Sequence, residues 1–345
     1  MAEVLSSTEP PSAITYVGRT GGPEARIVAA AGIEFVGLSL GRMGSSRLTA
    51  TPRLLTRLPL AYQQARQVIS DFHPDVVLAT GGYVSVPVAL VARRRRIPLL
   101  LLEQNALPGR AVSWLARRAS LVATSFPHTG QLLPGATVVC AGNPVRRQFW
   151  ELAATDGPPE IPPAILIMGG SQGAVHLNDV VLEALPKLLG LGPQLSVVHL
   201  TGPRDHARVT RLARSLQLGD PSRYRCLAFS DQMAVELKTA GMVVMRAGAS
   251  SLAEVACLGK PMVLVPYPHA SNHQMANANP FAAAGAAVVV EDSEFTAERL
   301  LAEVARILFD GGSWERMSQA SREMSRPGAA GAVAALLAGL AEESP

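Results

Sequence analysis

Short runs of apolar residues alternate along the whole chain with segments whose apolar residues recur at helical spacing. The runs predict strands, and the segments between them, for example 54–72 and 252–257, predict helices. This alternation is typical of parallel α/β architecture, because a helix connects each strand to the next one. Predicted strands cover residues 13–17, 76–79, 98–102, 121–124, 137–140, 164–168, 196–200, 225–229, 242–245, 262–265 and 286–290.

A proline-rich stretch interrupts the alternation near the middle of the chain. Residues 155–163 read TDGPPEIPP, a composition typical of a connection between domains. We therefore expect two Rossmann-like domains facing a cleft, over residues 1–150 and 164–325, with a linker at 151–163 and a C-terminal helix at 326–345. Ligands of such domains bind at the carboxyl ends of the parallel strands.

The predicted first domain does not begin as a doubly wound sheet should. Residues 1–5 are typical of the end of a helix, and the strand at 13–17 follows a turn. The first strand of such a sheet lies at its centre. If the strand at 13–17 is the second one, the missing centre leaves two apolar strand edges unpaired. We expect that the sequence starts inside its complete reading frame and that the first domain is truncated at its N-terminus.

Composition restricts the class of protein. Hydrophobic residues make up 48% of the 345 residues, which argues against disorder and allows two full cores. No apolar run approaches the roughly 18 residues that span a bilayer, and no signal peptide is recognisable. The three cysteines, Cys140, Cys226 and Cys257, lack the spacing of a metal site and indicate a reducing compartment.

Charge is divided unevenly between the two halves. Residues 1–150 contain 16 Arg, no Lys and 7 acidic residues, a net +9, whereas the remainder carries a net −5. A basic first half indicates an anionic surface facing that half, although a solvated basic face would produce the same count. Nucleic acid is a poor candidate for this surface, because aromatic residues are not interleaved with the basic ones.

Two turns between a strand and a helix suit an anionic ligand. Residues 169–174 read GGSQGA, and residues 246–254 read RAGASSLAE. Small residues at a helix start leave backbone N–H donors for a phosphate or diphosphate. Glu254 follows about one turn later, where a carboxylate can accept both hydroxyls of a ribose. Each turn alone also fits an ordinary connection, with Ser250 or Ser251 as N-cap of the second helix.

Four further segments complete a set with these two turns: TGGYVSVP at 80–87, EQN at 103–105, GNPVR at 142–146 and NHQMAN at 272–277. In type and order the six segments resemble the MurG family, the UDP-N-acetylglucosamine (UDP-GlcNAc) transferases that act on undecaprenyl-pyrophosphoryl-MurNAc-pentapeptide (lipid I). The resemblance covers nearly the whole chain. It implies a GT-B fold and an inverting transfer of GlcNAc, without metal or cofactor, to the MurNAc 4-hydroxyl. The product would be lipid II for peptidoglycan synthesis.

The resemblance also implies which residues bind the two substrates. Glu254 would contact the ribose, Ser230 would lie near the uracil through its backbone, and Gln274 would contact the sugar hydroxyls with Asn277 close by. The implied donor contacts are Asn105, Arg146, Ser171, Ser230, Ala249, Ser250, Ser251, Leu252, Ala253, Glu254 and Gln274. The acceptor-side candidates are Gly81, Gly82, Tyr83 and Glu103. Simpler roles stay open for some positions: Asn105 and Asn143 as turn residues, Arg146 as a surface ion pair and His273 as an exposed or structural residue.

The chain departs from the family at one motif. The family's first glycine loop, Gly-Gly-Thr-Gly-Gly-His, is absent, and its His is the family's candidate general base. Glu103 is the nearest alternative, although many relatives have His where this chain has Leu102. Loss of a positioned base typically costs about 10²–10⁴ in rate. We therefore expect the 345-residue chain to be weak or inactive, and a form extended upstream through a strand, the loop and the His to be active.

A membrane surface would account for the basic first half. Residues 52–60 mix leucines with arginines, and Trp114 lies near Arg110, Arg117 and Arg118. Such patches suit anionic lipid, and the resemblance implies peripheral binding at the cytoplasmic face of the bacterial plasma membrane. Core leucines beside a solvated arginine face would explain the same pattern. The membrane-facing candidates are Arg53, Leu54, Leu55, Arg57, Leu58 and Trp114.

Two other functions stay open at this point. One is a non-catalytic paralogue that binds a UDP-sugar. The other is a different GT-B enzyme, such as a lipid glucosyltransferase or a UDP-sugar epimerase, although the EQN and GNPVR segments argue against it. The MurG resemblance itself further implies a part in cell shape and cell division, with other cell-wall synthesis proteins as partners.

Overall fold

The structure is a computed structural model that describes residues 2–7, 11–22, 24–40, 47–154, 164–268 and 272–343, with the backbone alone for 47–57. The chain divides into two compact units. The first combines Met1–Pro144 with Gly328–Pro345, and the second is Val145–Pro327. This division does not test the domain boundaries predicted from the sequence, which stay predictions.

Strands and helices alternate in both units, as the apolar pattern predicts. The strands are β1 (Thr15–Arg19), β2 (Glu34–Leu38), β3 (Val77–Ala79), β4 (Leu99–Glu103), β5 (Leu121–Thr124), β6 (Val138–Cys140), β7 (Ala164–Met168), β8 (Ser196–Leu200), β9 (Tyr224–Leu227), β10 (Ala240–Met245), β11 (Met262–Leu264) and β12 (Ala287–Val289). The α-helices are α1 (Ala2–Ser6), α2 (Glu24–Ala30), α3 (Arg47–Phe72), α4 (Ser85–Arg94), α5 (Arg110–Leu115), α6 (Arg147–Ala154), α7 (Val175–Gly190), α8 (His206–Ser215), α9 (Met233–Thr239), α10 (Ala249–Cys257), α11 (His273–Ala283), α12 (Ala297–Phe309), α13 (Ser313–Glu323) and α14 (Ala329–Glu342).

The second unit contains one parallel six-stranded sheet in the order β12-β11-β10-β7-β8-β9. Its first strand, β7, lies at the centre between β10 and β8. Central strands are buried on both faces, so β7 and β10 are continuous apolar runs. From β7 the chain adds strands on one side, and from β10 it adds them on the other side, so the strand order reverses between these two strands. This place is the switch point of the sheet. In a doubly wound sheet the carboxyl ends of such a strand pair form the ligand crevice.

The first unit contains two parallel sheets within the described residues. β1 pairs with β2, and β3 to β6 form a four-stranded sheet in chain order. Strand β2 was not predicted from the sequence, because its run is short, interrupted by Gly37, and mostly only half buried. No other strand pairs with β1 or with β3 in the described part of the chain.

Two segments near the predicted boundaries belong to packed elements. Residues 151–154 of the predicted linker are the last turn of α6, where the Leu152 carbonyl accepts a hydrogen bond from Lys238 Nζ (2.9 Å). Residues 155–163 lie outside the described residues. Helix α14 falls inside the predicted C-terminal helix, and its Val333 and Leu337 pack with Leu100 of β4. Helix α14 therefore belongs to the core of the first unit.

Candidate functional site

The glycine turn between β7 and α7 lies at one side of the crevice in the second unit. Gly170 and Gly173 have positive φ angles of 85° and 77°. A Cβ atom on Gly173 would stand 2.1 Å from the carbonyl oxygen of Thr201, so only glycine fits there. This close approach holds the turn against the segment that follows β8. Ser171, a predicted donor contact, is exposed on the turn.

A buried polar network supports this turn from behind. Asn178 of α7 donates through Nδ2 to the Thr201 carbonyl (3.1 Å) and to Asp205 (2.7 Å). Its Oδ1 lies 3.0 Å from His199 Nε2, and His199 Nδ1 lies 2.9 Å from the Tyr224 hydroxyl. Because an amide oxygen only accepts, His199 carries its proton on Nε2 and is neutral. Burial lowers the pKa of His199 to about 3.

This buried histidine predicts a stability that depends on pH. Between pH 6.5 and about 3 the unfolded chain binds a proton that folded His199 does not, so the free energy of unfolding falls as the pH decreases. The expected loss from this group is roughly 2 kcal/mol between pH 7 and pH 5. Urea unfolding at both pH values measures it. His199→Gln should lower stability at pH 7 but reduce the pH dependence, whereas His128→Gln, at an exposed position, should leave the pH dependence unchanged. An equal slope in wild type and His199→Gln would contradict this account.

The second turn, between β10 and α10, lies beside the glycine turn because β10 and β7 are neighbours. Gly248 is the N-cap of α10, and no side chain caps the helix among the described residues. Ser250 and Ser251 therefore do not act as the N-cap, and the backbone N–H groups of the first turn stay available to a ligand. Leu252 is fully buried, so it can reach a ligand only through its backbone. Ala249 and Ala253 are half-buried on the same two turns.

Arg146 and Glu254 come together although they are 108 positions apart in the sequence. Arg146 donates through Nε (3.1 Å) and Nη2 (3.0 Å) to one Glu254 oxygen, Oε1. Burial raises the pKa of Glu254, and the neighbouring Arg146 opposes that rise. The Arg146 side chain is 52% exposed and also lies over the ring of Phe149. Two residues predicted to bind the donor are thus in direct contact, and the second oxygen of Glu254 is not part of their pairing.

Helix α11 contributes two more predicted residues to this region. Gln274 accepts a hydrogen bond from the backbone N–H of Tyr267 through Oε1 (2.8 Å). Asn277 is 1% exposed and donates through Nδ2 to the Ala247 carbonyl (3.2 Å). Asn277 therefore holds the turn before α10 in place. Asn272, at the start of α11, adopts a left-handed conformation with φ 63°.

The segment after β9 carries Ser230 and an aromatic residue that the sequence interpretation missed. Ser230 Oγ accepts from the Gln232 N–H (3.2 Å) and closes a turn. Phe229 was placed in a strand, but β9 ends at Leu227 and the Phe229 side chain is 61% exposed. A large exposed aromatic residue at the carboxyl edge of a sheet offers a face for stacking a planar base. The sequence did contain a signal for this role of Phe229, because the residue stands between a short apolar run and the predicted contact Ser230.

In the first unit the structure gives Glu103 a structural role. The residue is 3% exposed, and its Oε1 accepts from the N–H (2.9 Å) and Nδ2 (3.0 Å) of Asn105. Its Oε2 accepts from the Gly109 N–H (2.7 Å). A carboxylate with both oxygens engaged by its own loop organises residues 104–109 and is a poor candidate for a general base. Asn105 is fixed by the same contacts, as a turn residue would be.

The other acceptor-side candidates of the first unit lie in the turn after β3. Gly81 and Gly82 have positive φ angles of 83° and 77°, which glycine adopts without strain. Ser85 Oγ donates to the Gly82 carbonyl (2.8 Å) at the start of α4. Tyr83 packs against a small core that includes Leu38. This turn is at the carboxyl end of β3, where a ligand of the first unit would be expected.

The membrane-facing candidates are only partly described. The side chains of Arg53, Leu54, Leu55 and Arg57 lie outside the described residues, and Leu58 is half-buried. Trp114 on α5 is 45% exposed, and the Arg118 guanidinium lies 4.4 Å from its ring centroid. Among the described residues, none of the helices is long and apolar enough to cross a membrane. That same part of the chain contains no group of three metal-ligating side chains.

Comparison with known proteins agrees with this architecture. The glycosyltransferase family 28 N-terminal domain matches residues 6–124, and the family's C-terminal domain matches residues 164–332. A transferase of Anaeromyxobacter sp. strain Fw109-5 is 38% identical, covering 99% of this chain and 88% of that protein. A transferase of Nitratidesulfovibrio vulgaris strain Hildenborough is 36% identical, covering 100% and 94%. Both carry the name UDP-N-acetylglucosamine–N-acetylmuramyl-(pentapeptide) pyrophosphoryl-undecaprenol N-acetylglucosamine transferase.

Among solved structures, Acinetobacter baumannii MurG superposes with a TM-score of 0.73 at 28% identity, covering 98% of this chain and 93% of that one. The two parallel α/β units therefore form the two domains of a GT-B fold. Three findings point to the same family. They are the similarity over the full length of the chain, the two matching family 28 domains, and the turns before α7 and α10 at the carboxyl ends of adjacent strands. The chain belongs to the MurG family of UDP-GlcNAc-dependent glycosyltransferases.

Proposed function

We propose that this chain transfers GlcNAc from UDP-GlcNAc to the MurNAc 4-hydroxyl of lipid I and produces lipid II for peptidoglycan synthesis. The observation that supports this proposal is the arrangement of residues at the switch point between β7 and β10, in a chain that belongs to this family. There the glycine turn, the uncapped start of α10 and Glu254 lie around the ends of adjacent strands. Because the chain would supply lipid II for peptidoglycan, we also propose that it has a role in cell shape and cell division.

The second unit is proposed to bind the donor. The diphosphate would contact the N–H groups at the start of α10 and of the glycine turn, because helix N-termini favour anions. Glu254 would accept from the ribose hydroxyls through its carboxylate. Phe229 would stack on the uracil, with backbone of Ser230 at the base edge. Gln274 would contact the hydroxyls of the sugar, and Ser171 would lie on the phosphate side. Arg146 and Asn105 stay predicted contacts of the donor.

The first unit is proposed to bind the acceptor. The turn at Gly81 and Gly82 would lie against the acceptor, with Tyr83 beside it. Glu103 would act there by shaping its loop, since both of its oxygens hold backbone N–H groups. The sequence has no counterpart of the family's general-base His, so slow turnover by this chain stays a prediction.

The experiment is transfer from labelled UDP-GlcNAc to a lipid I analogue, with lipid II separated by chromatography. Lipid II formation supports the proposal. UDP binding without transfer at any enzyme concentration favours the non-catalytic paralogue. Release of a 2-epimerised UDP-sugar without acceptor, or transfer from UDP-glucose to a diacylglycerol acceptor, favours another GT-B enzyme. The turnover rate in the same assay tests the prediction that this chain is weak or inactive.

The first unit is further proposed to bind the cytoplasmic face of the plasma membrane peripherally, with cell-wall synthesis proteins as additional partners. The support is the exposed Trp114 with Arg118 stacked on it, in a half that carries net +9. Aromatic and arginine side chains suit the interface of an anionic bilayer.

Vesicle binding tests the membrane proposal. We expect the protein to sediment with phosphatidylglycerol vesicles and much less with phosphatidylcholine vesicles, and salt should weaken binding. Trp114→Ala should reduce the bound fraction several-fold, because it removes an aromatic anchor. Leu132→Ala, at another exposed apolar position of the same unit, is the control and should bind as wild type. Equal binding to both vesicle types would contradict the proposal.

A further inference from the structure

A carboxylate outside the predicted donor residues contacts the first turn of α7 and the segment that leads into α10 in the second unit. Asp292 begins the short 3-10 helix Asp292–Glu294 that follows β12. Its Oδ1 lies 2.5 Å from Arg246 Nη1 and 3.4 Å from His176 Nδ1. Arg246 leads into α10, and His176 lies in the first turn of α7. One oxygen therefore contacts the segments that start both helices at the switch point.

The Arg246 guanidinium is buried, and Asp292 is its acidic partner among the residues that the structure describes. Its side chain is 8% exposed, and its Nη1 donates to the Val265 carbonyl (3.0 Å). Its Cζ lies 5.5 Å from the ring centroid of Tyr267. A buried charge is costly without a partner. Neither contact of Asp292 Oδ1 has the alignment of a hydrogen bond. Charge attraction connects Asp292 with Arg246, and the His176 ring lies beside the same carboxylate oxygen.

Arg246 is held firmly but keeps one donor unused. Val265, Tyr267 and Asp292 surround the guanidinium, and its buried Nε has no hydrogen-bond partner among the described residues. A misaligned guanidinium would displace the turn that carries Gly248, the N-cap of α10. The position of Arg246 therefore sets the position of the N–H donors that follow it.

We propose that Asp292 is a positioning residue for donor binding. It holds Arg246 and the first turn of α7 in the arrangement that presents both helix starts to the diphosphate of a nucleotide sugar. It acts through these two elements and does not touch the substrate. The inference rests on the proposed donor site, and it assigns to Asp292 a role in UDP affinity rather than in the transfer step.

Asp292→Asn tests the inference because it keeps the shape of the side chain and removes its charge. We expect the Kd for UDP, measured by calorimetry, and the KM for UDP-GlcNAc to rise about tenfold, with kcat within about twofold. Glu294→Gln is the matched control, an exposed acid on the same turn, and should equal wild type. His176→Gln should raise the Kd about threefold without a change in Tm, since His176 is 44% exposed.

The outcomes separate this inference from the proposed function. Failure of the wild-type protein to bind UDP would contradict the donor site itself. Wild-type binding with an unchanged Kd in both Asp292→Asn and His176→Gln would overturn the inference. A lowered Tm in Asp292→Asn together with an unchanged Kd in His176→Gln would show that Asp292 only balances the charge of Arg246. The inference would then be wrong. If Asp292→Asn does not fold, the Kd of His176→Gln decides.

Discussion

Replacing Gly173 by alanine is expected to cost about 3 kcal/mol or more of unfolding free energy and to weaken UDP binding at least tenfold. The added Cβ would stand 2.1 Å from the Thr201 carbonyl oxygen, and the φ angle of 77° disfavours any side chain. Left-handed backbone costs roughly 1–2 kcal/mol for a non-glycine residue, and overpacking adds about 1–3 kcal/mol. The glycine turn would have to move away from the segment after β8. Urea unfolding and calorimetric titration with UDP measure the two effects.

Gly170 provides the matched control on the same turn. Its φ angle is 85°, but a Cβ there would meet no atom within 4 Å. Gly170→Ala should therefore cost only the backbone strain, about 1–2 kcal/mol. Comparable losses in the two variants would show that strain alone matters. That result would contradict the role of the close approach between the two turns.

Replacing Glu254 by alanine is expected to reduce kcat/KM for UDP-GlcNAc by about 10²–10³ with little loss of stability. The carboxylate is proposed to accept two ribose hydroxyls, and hydrogen bonds to a charged group are each worth roughly 1.5–3 kcal/mol. Its partner Arg146 is 52% exposed, so water can solvate the guanidinium when Glu254 is removed. Glu254 itself is 18% exposed, so the pair is only partly exposed, and an ion pair whose cation faces water contributes about 1 kcal/mol. Steady-state kinetics and thermal unfolding measure the two quantities.

Glu151→Gln is the control for Glu254. Glu151 pairs with Arg147 at 2.7 Å on α6, and both side chains are exposed. This pair resembles the Arg146–Glu254 pair in chemistry but belongs to no proposed ligand contact. Glu151→Gln should keep the wild-type kcat/KM. If Glu254→Ala also keeps it, or loses stability in proportion to activity, the ribose contact is wrong.

The apolar pattern and the glycines determined much of the fold and the place of the candidate site. Strand positions followed from short apolar runs, because a strand buried on both faces needs no distant information to be recognised. The turns at 169–174 and 246–254 were found for the same local reason, since small residues between a strand and a helix mark a turn. The missed strand Glu34–Leu38 shows the limit, because a half-buried run interrupted by Gly37 has little apolar signal.

Only the tertiary structure decided which side chains meet. Arg146 reaches Glu254 across 108 positions, and Asp292 reaches Arg246 and His176 because three strand or helix ends converge. Nothing local in the sequence encodes such pairs. The candidate base Glu103 illustrates the same point, since its sequence context suggested catalysis while folding engages both oxygens with loop N–H groups. Local periodicity specified the elements and their order, and the sheet topology, through long-range packing and burial, selected the partners that give the site its chemistry.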